Sequence, residues 1–203
     1  MTQQINLKRG TNTARLTTLG TPSAGEPIYC TDTKALFIGD GSTAGAVPAT
    51  KPGSVLQLTS TLTTNINALA TGNLVGWDVQ DTTWGLDFSH STSSNNSRIT
   101  FRYTGYYEIS ASVAVNAVIA SSQRYNGFLR CRLGGSTMFG PASACAYIRD
   151  VTDHDNATFH LPAFVYNATG GTYFELTIDR ETSVTTQVDL TPNLSYLYVK
   201  RIG

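Results

Sequence analysis

The chain has 203 residues, 40% hydrophobic and 10% aromatic, enough to bury a sizeable core. Only 14% are charged, well below the roughly 25% of ordinary soluble domains, and Ser, Thr, Asn, Gly and Ala fill the gap; this profile excludes a long-helix protein and favours β structure. Formal net charge is zero and the dense basic spots, Lys8-Arg9 and Lys200-Arg201, lie near the ends, which argues against nucleic-acid binding through a phosphate-neutralising patch.

Taken in chain order, the opening "MTQQINLKRG" lacks the apolar stretch of a secretory signal, and no run approaches the length of a membrane span. The expectation is synthesis in a reducing cytoplasm without membrane insertion. Three cysteines, Cys30, Cys131 and Cys145, form no CxxC pair, so buried thiols are expected, with a Cys131–Cys145 bridge left open. Residues 1–48 are turn-rich. Within them "YCTDTKALFIGDGSTA" (29–44) concentrates turn chemistry: Asp32 can bond nearby backbone to reverse the chain, and Gly39-Asp40-Gly41 can supply positive φ. The glycines are not a phosphate loop, because no Lys-Ser/Thr and no helical pattern follow. "ATKPG" (49–53) reads as a linker. In "LTSTLTTNINALA", Leu58, Leu62, Ile66 and Leu69 recur at helical spacing, but four Thr and one Ser resist a helix, so extended chain is expected.

From residue 54 the texture is alternating strands between turn clusters, the pattern of a sandwich or jelly roll. "RITFRY" sets Ile99, Phe101 and Tyr103 on one face; "YYEISASVAV" does so for Tyr107, Ile109, Ala111, Val113 and Val115. "FLRCRL" sets Leu129, Cys131 and Leu133 against Phe128, Arg130 and Arg132. "TFHLPAFVY" sets Phe159, Leu161, Ala163 and Val165 against His160, Phe164 and Tyr166. "TYFELTID" and "SYLYVKRI" follow the same rule, so Tyr166, Tyr173, Tyr196 and Tyr198 are expected to stand opposite the core as one row, an oligomer interface.

Catalytic signals are absent: His90, His154 and His160 are scattered, and no nucleophile elbow, HExxH or paired carboxylates appear. No enzyme activity, cofactor or metal is therefore expected. "DVTDHDN" gathers Asp150, Asp153, His154 and Asp155 but lacks the Gly and distant Glu of a calcium loop, and reads as a solvated turn. Asn156 and Asn167 head sequon matches that read as turn residues.

The N-terminal motifs resemble the attachment module of phage fibre and receptor-binding proteins, the major tropism determinant N-terminal domain. The carriers are Lys8-Arg9-Gly10-Thr11, Gly25-Glu26, Tyr29, Thr31-Asp32-Thr33, Leu36 and Ile38-Gly39-Asp40-Gly41. Lys8 stands for the family's first Arg, Leu19 lies further from Gly25-Glu26 than in the pattern, Pro27 replaces an apolar residue, and Ala44-Gly45-Ala46 replaces the usual aromatic. Residues 54–203 resemble the C1q/TNF-like jelly-roll heads of phage fibres, through "RITFRYTGYYEISASV", "YNGFLRCRLGG", "FHLPAFVYNATGGTYFELTI" and "SYLYVKRIG"; Gly170-Gly171-Thr172 lacks the family's Asp after the turn glycine.

These resemblances imply an all-β homotrimeric virion protein made in the bacterial host. Residues 1–48 would dock on another virion protein of tail, baseplate or capsid, using Arg9, Gly10, Thr11, Gly25, Glu26, Asp32, Thr33, Gly39, Asp40 and Gly41. Residues 54–203 would form a head binding a bacterial surface glycan or protein. Arg124 and Tyr125 in "SSQRYNG", and Arg149, Asp153 and His154 in "RDVTDHDN", have the composition of ligand loops. A capsid decoration protein of the same fold is the alternative reading; a glycan-modifying enzyme on a fibre is the third.

Overall fold

The computed structural model describes residues 7–49, 53–85, 87–118, 124–141, 145–149, 155–180 and 187–203. The chain divides into two compact units, Met1–Pro52 and Gly53–Gly203.

In the first unit, β1 (Lys8–Gly10), α1 (Asn12–Thr17), β2 (Pro27–Cys30), β3 (Ala35–Ile38) and β4 (Val47–Pro48) follow in order. The sheet runs β1-β2-β3-β4, with β1 and β2 parallel and the other pairs antiparallel. Helix α1 has no counterpart in the sequence reading. Its six residues include two Thr and are too few for a periodic signal. A local cap and a long-range contact make it: Thr11 Oγ1 accepts from the Ala14 N–H, and both Asp32 carboxylate oxygens accept from the Asn12 N–H at 2.9 and 3.0 Å.

The second unit begins with β5 (Val55–Ser60), β6 (Asn73–Leu74), β7 (Val79–Trp84), β8 (Phe88–Ser89) and β9 (Ile99–Phe101). The long β10 (Gly105–Ala117) and β11 (Arg124–Leu133) come next, then β12 (Thr137–Phe139), β13 (Cys145–Arg149) and β14 (Asn156–Ala168). β15 (Tyr173–Arg180), β16 (Val188–Leu190) and β17 (Ser195–Arg201) close the unit. One sheet runs β14-β10-β17-β5-β7, the other β12-β11-β15-β9-β8, with β13 beside β11. The antiparallel pairs β5–β17, β9–β15, β10–β14 and β11–β13 nest first with last and inner with inner, and each sheet takes two of them; this is a jelly roll. The Leu58–Leu69 stretch is strand and turn, not helix.

The core between the sheets contains Leu56, Leu58, Trp77, Phe101, Tyr107, Ile109, Val113, Leu129, Cys131, Phe159, Leu176 and Val199, all nearly inaccessible. Most strands follow the predicted alternation. β14 departs from it: Ile109 opposes Phe164 while Ala111 opposes Leu161, so β14 carries one extra residue at a bulge. That residue reverses the faces beyond it. Phe159 and Leu161 point inward as expected, but Ala163 and Val165 are exposed while Phe164 and Tyr166 turn in against the core.

Candidate functional site

In the first unit the separate motif pieces close on one another. Thr31 N–H donates to the Gly10 carbonyl, tying "RGT" to "TDT". Gly25 N–H donates to the Gly39 carbonyl and Gly39 N–H to the Glu26 carbonyl, tying "GE" to "GDG". Gly39 is buried, and a Cβ there would overlap the Ser23 carbonyl; the requirement at this glycine is close approach. Positive φ falls instead on Gly41 (77°) and Lys34 (56°). Asp32 accepts from its neighbour Thr33 N–H as expected of a turn, but its larger task is holding the start of α1. Arg9 and Thr33 are exposed.

Electrostatics follow these bonds. Asp40 accepts from Thr43 Oγ1 at 2.6 Å and from the N–H groups of Thr43 and Ser42, which hold its carboxyl far below the usual range. Glu26 is held low by Lys8 at 2.5 Å and by the Ser23 N–H. For Asp32, partial desolvation pushes upward, but the Asn12 and Thr33 N–H groups outweigh it and the net shift is down. Arg15, absent from the predicted set, is 4% exposed; it lies 3.9 Å over the Phe37 ring and donates to Gly45 O and Asn12 Oδ1. A cavity of about 220 Å³ lies between β1, α1 and β2, lined in part by Ile28 and Cys30.

In the second unit the four tyrosines do not form one row. Tyr196 and Tyr198 point outward from β17. Tyr173 stands on the outer face of the other sheet, under Arg98 at 4.6 Å. Tyr166 turns inward through the β14 bulge, its ring 4.3 Å from Phe139. What shares the outer face with Tyr196 and Tyr198 is Tyr106 and Val165, 52% and 56% exposed. The charges in the centre of that face, Glu108 and Lys200, stand opposite each other in register.

The expected ligand loops are also redrawn. Tyr125 is not a loop residue but lies in β11, 1% exposed and edge-on to Phe159, because it shares the core-facing parity of Leu129 and Cys131. Arg124 and Arg149 are strand positions facing each other across β11 and β13. Asp153 and His154 lie outside the described residues. Cys131 is a free, buried thiol, so the bridge to Cys145 is not made.

Residues 5–43 match the family described as the Major tropism determinant N-terminal domain. No curated relative matches the chain. Among solved structures the chain is similar to murine APRIL at pH 8.0, with a TM-score of 0.49 and 14% identity over 74% of this chain and 99% of that one. It is also similar to Eiger TNF from S. frugiperda, with a TM-score of 0.44 and 8% identity over 74% and 92% of the two chains.

Proposed function

We propose that this chain is a non-catalytic phage virion protein that assembles as a homotrimer. Its first unit docks on another component of the particle, and its jelly-roll head binds a ligand on the bacterial surface. The observation that carries the reading is the match of residues 5–43 to the tropism-determinant N-terminal domain. The hydrogen bonds that lock its motif pieces together leave Arg9, Thr33 and the α1 residue Leu16 exposed for docking. Self-association is assigned to the outer face carrying Tyr106, Val165, Tyr196 and Tyr198, which is apolar at its large side chains and poor in charge.

Light scattering on the purified chain tests the assembly: a mass near three times 21.8 kDa is expected. A Val165→Glu/Tyr196→Glu variant should fall to the monomer mass, and a wild-type monomer would end the trimer reading. Imaging of labelled particles tests the location, with the capsid surface as the outcome that would replace a tail fibre by a decoration protein. Incubation with host polysaccharide should release no reducing ends.

A further inference from the structure

The sheet containing β11 and β15 turns its outer face away from the proposed trimer face, and that surface is rich in arginine. Ile99 and Phe101 are buried, so Arg98, Thr100 and Arg102 take the outer side of β9. Leu129 and Cys131 are buried, so Phe128, Arg130 and Arg132 take the outer side of β11. β15 lies between them with Tyr173, Glu175, Thr177 and Asp179 on the same side, and Glu175 faces Arg132 in register. Four of the chain's ten arginines thus meet two carboxylates.

Those carboxylates are already engaged. Glu175, 3% exposed, accepts from Ser97 Oγ at 2.9 Å and from Arg98 Nε at 3.2 Å. Asp179 accepts from the Gly72 N–H at 2.7 Å, and Arg130 approaches it only to 4.0 Å. The Nε atoms of Arg130 and Arg132 are buried and donate no hydrogen bond among the described residues; the recorded side-chain hydrogen bond of Arg132 is a long one to the Gly135 carbonyl at 3.5 Å. Arg102 is exposed and forms no ion pair among them. The guanidinium planes of Arg98 and Arg130 rest on Tyr173 and Phe128 at 4.6 and 5.3 Å, which fixes their orientation before any ligand arrives.

We propose that this face binds a carboxylated polysaccharide, its arginines each taking a carboxylate from a different sugar along the chain. The proposal rests on the adhesive reading of the head and names the chemistry of its ligand. β9 and β11 are two strand spacings apart, roughly 10 Å, too far for one carboxylate to bridge. A polymer with acidic groups at intervals spans them. Planar forks suit carboxylates. The zero net charge of the chain, with Glu175 and Asp179 set among these arginines, argues against the phosphate-neutralising patch of a polynucleotide binder.

The test measures binding of the full chain to immobilised polygalacturonate, with dextran, polyphosphate and oligo-dT as parallel surfaces. Wild type is expected to bind polygalacturonate best and to weaken steeply with salt. Arg102→Ala/Arg130→Ala should bind about tenfold more weakly, while Lys34→Ala in the other unit should not change. Arg102→Ala alone removes no recorded contact, so its expected loss of a few-fold cannot be charged to misfolding. Equal binding by these variants, or no wild-type binding, overturns the proposal; so does tighter binding to dextran, polyphosphate or oligo-dT. Light scattering on the same samples keeps the two readings apart. A trimer indifferent to polygalacturonate sinks only the arginine face, and a monomer that binds it sinks only the assembly.

Discussion

Arg201 and Asp87, 114 positions apart, form an ion pair at 2.7 Å with both side chains almost wholly buried. Arg201 also donates to the Thr104 carbonyl at 2.7 Å and lies 5.6 Å from the ring centres of Tyr103 and Tyr107. It fastens the last strand to the residue just before β8 and to the turn between β9 and β10. Asp87→Ala would leave a buried guanidinium without its anion, at a cost of about 3–5 kcal/mol. The double change Asp87→Leu/Arg201→Met, which removes both charges, should cost much less. Urea denaturation of the three proteins checks the difference; equal losses for single and double variants would mean that packing, not charge pairing, matters there.

Acid should weaken the first unit. Glu26, Asp32 and Asp40 all have folded pKa values below their unfolded ones. For depressed carboxyls the stabilisation is complete above the unfolded pKa, about 4, and is lost as pH falls toward the folded value. Hydrogen-exchange protection of β2 and β3 should therefore drop as pH falls from 5 to 3. Asp40→Asn should flatten that response, since its amide keeps no charge to lose; an unchanged acid profile would exclude Asp40 as a contributor.

Cys131 should be chemically silent in the folded protein. Burial pushes its thiol far up, away from the reactive thiolate, and the milder upward shift of Cys30 has the same leading cause. Peptide mapping after alkylation should find both residues unmodified in buffer and modified in denaturant. Labelling of Cys131 under native conditions would contradict the packed β11–β15 core.

Gly39→Ala should unfold the first unit, because the added methyl meets the Ser23 carbonyl, a backbone atom that cannot step aside. Gly25 has open space around it but sits at a φ of 82°, so Gly25→Ala should cost only its local strain, about 1 kcal/mol. Amide exchange or limited proteolysis ranks the two; the opposite order would refute the close-approach reading of the "GDG" glycine.

The strands were legible because their core faces repeat every two residues, and β10 and β17 bury every residue of the expected core face. β14 was misread beyond Leu161 because a single inserted residue leaves no mark in composition yet exchanges the two faces, which broke up the tyrosine row. The motif pieces of the first unit were readable, but not Arg15, whose partners Phe37 and Gly45 lie far along the chain. The arginine face was hidden for a similar reason: residues 98, 102, 130 and 132 belong to two distant segments, and only β15 between them makes one surface.

The first strand of the head, β5, is an interior one, hydrogen-bonded to β17 on one side and β7 on the other, and Arg201 N–H donates to the Ser54 carbonyl at its start. A tug on Gly53 directed along β5 therefore strains both flanking ladders in shear, all rungs together, whereas an edge strand would peel one rung at a time. Under the proposed docking of the first unit, drag would reach the jelly roll through this strand and load it in shear.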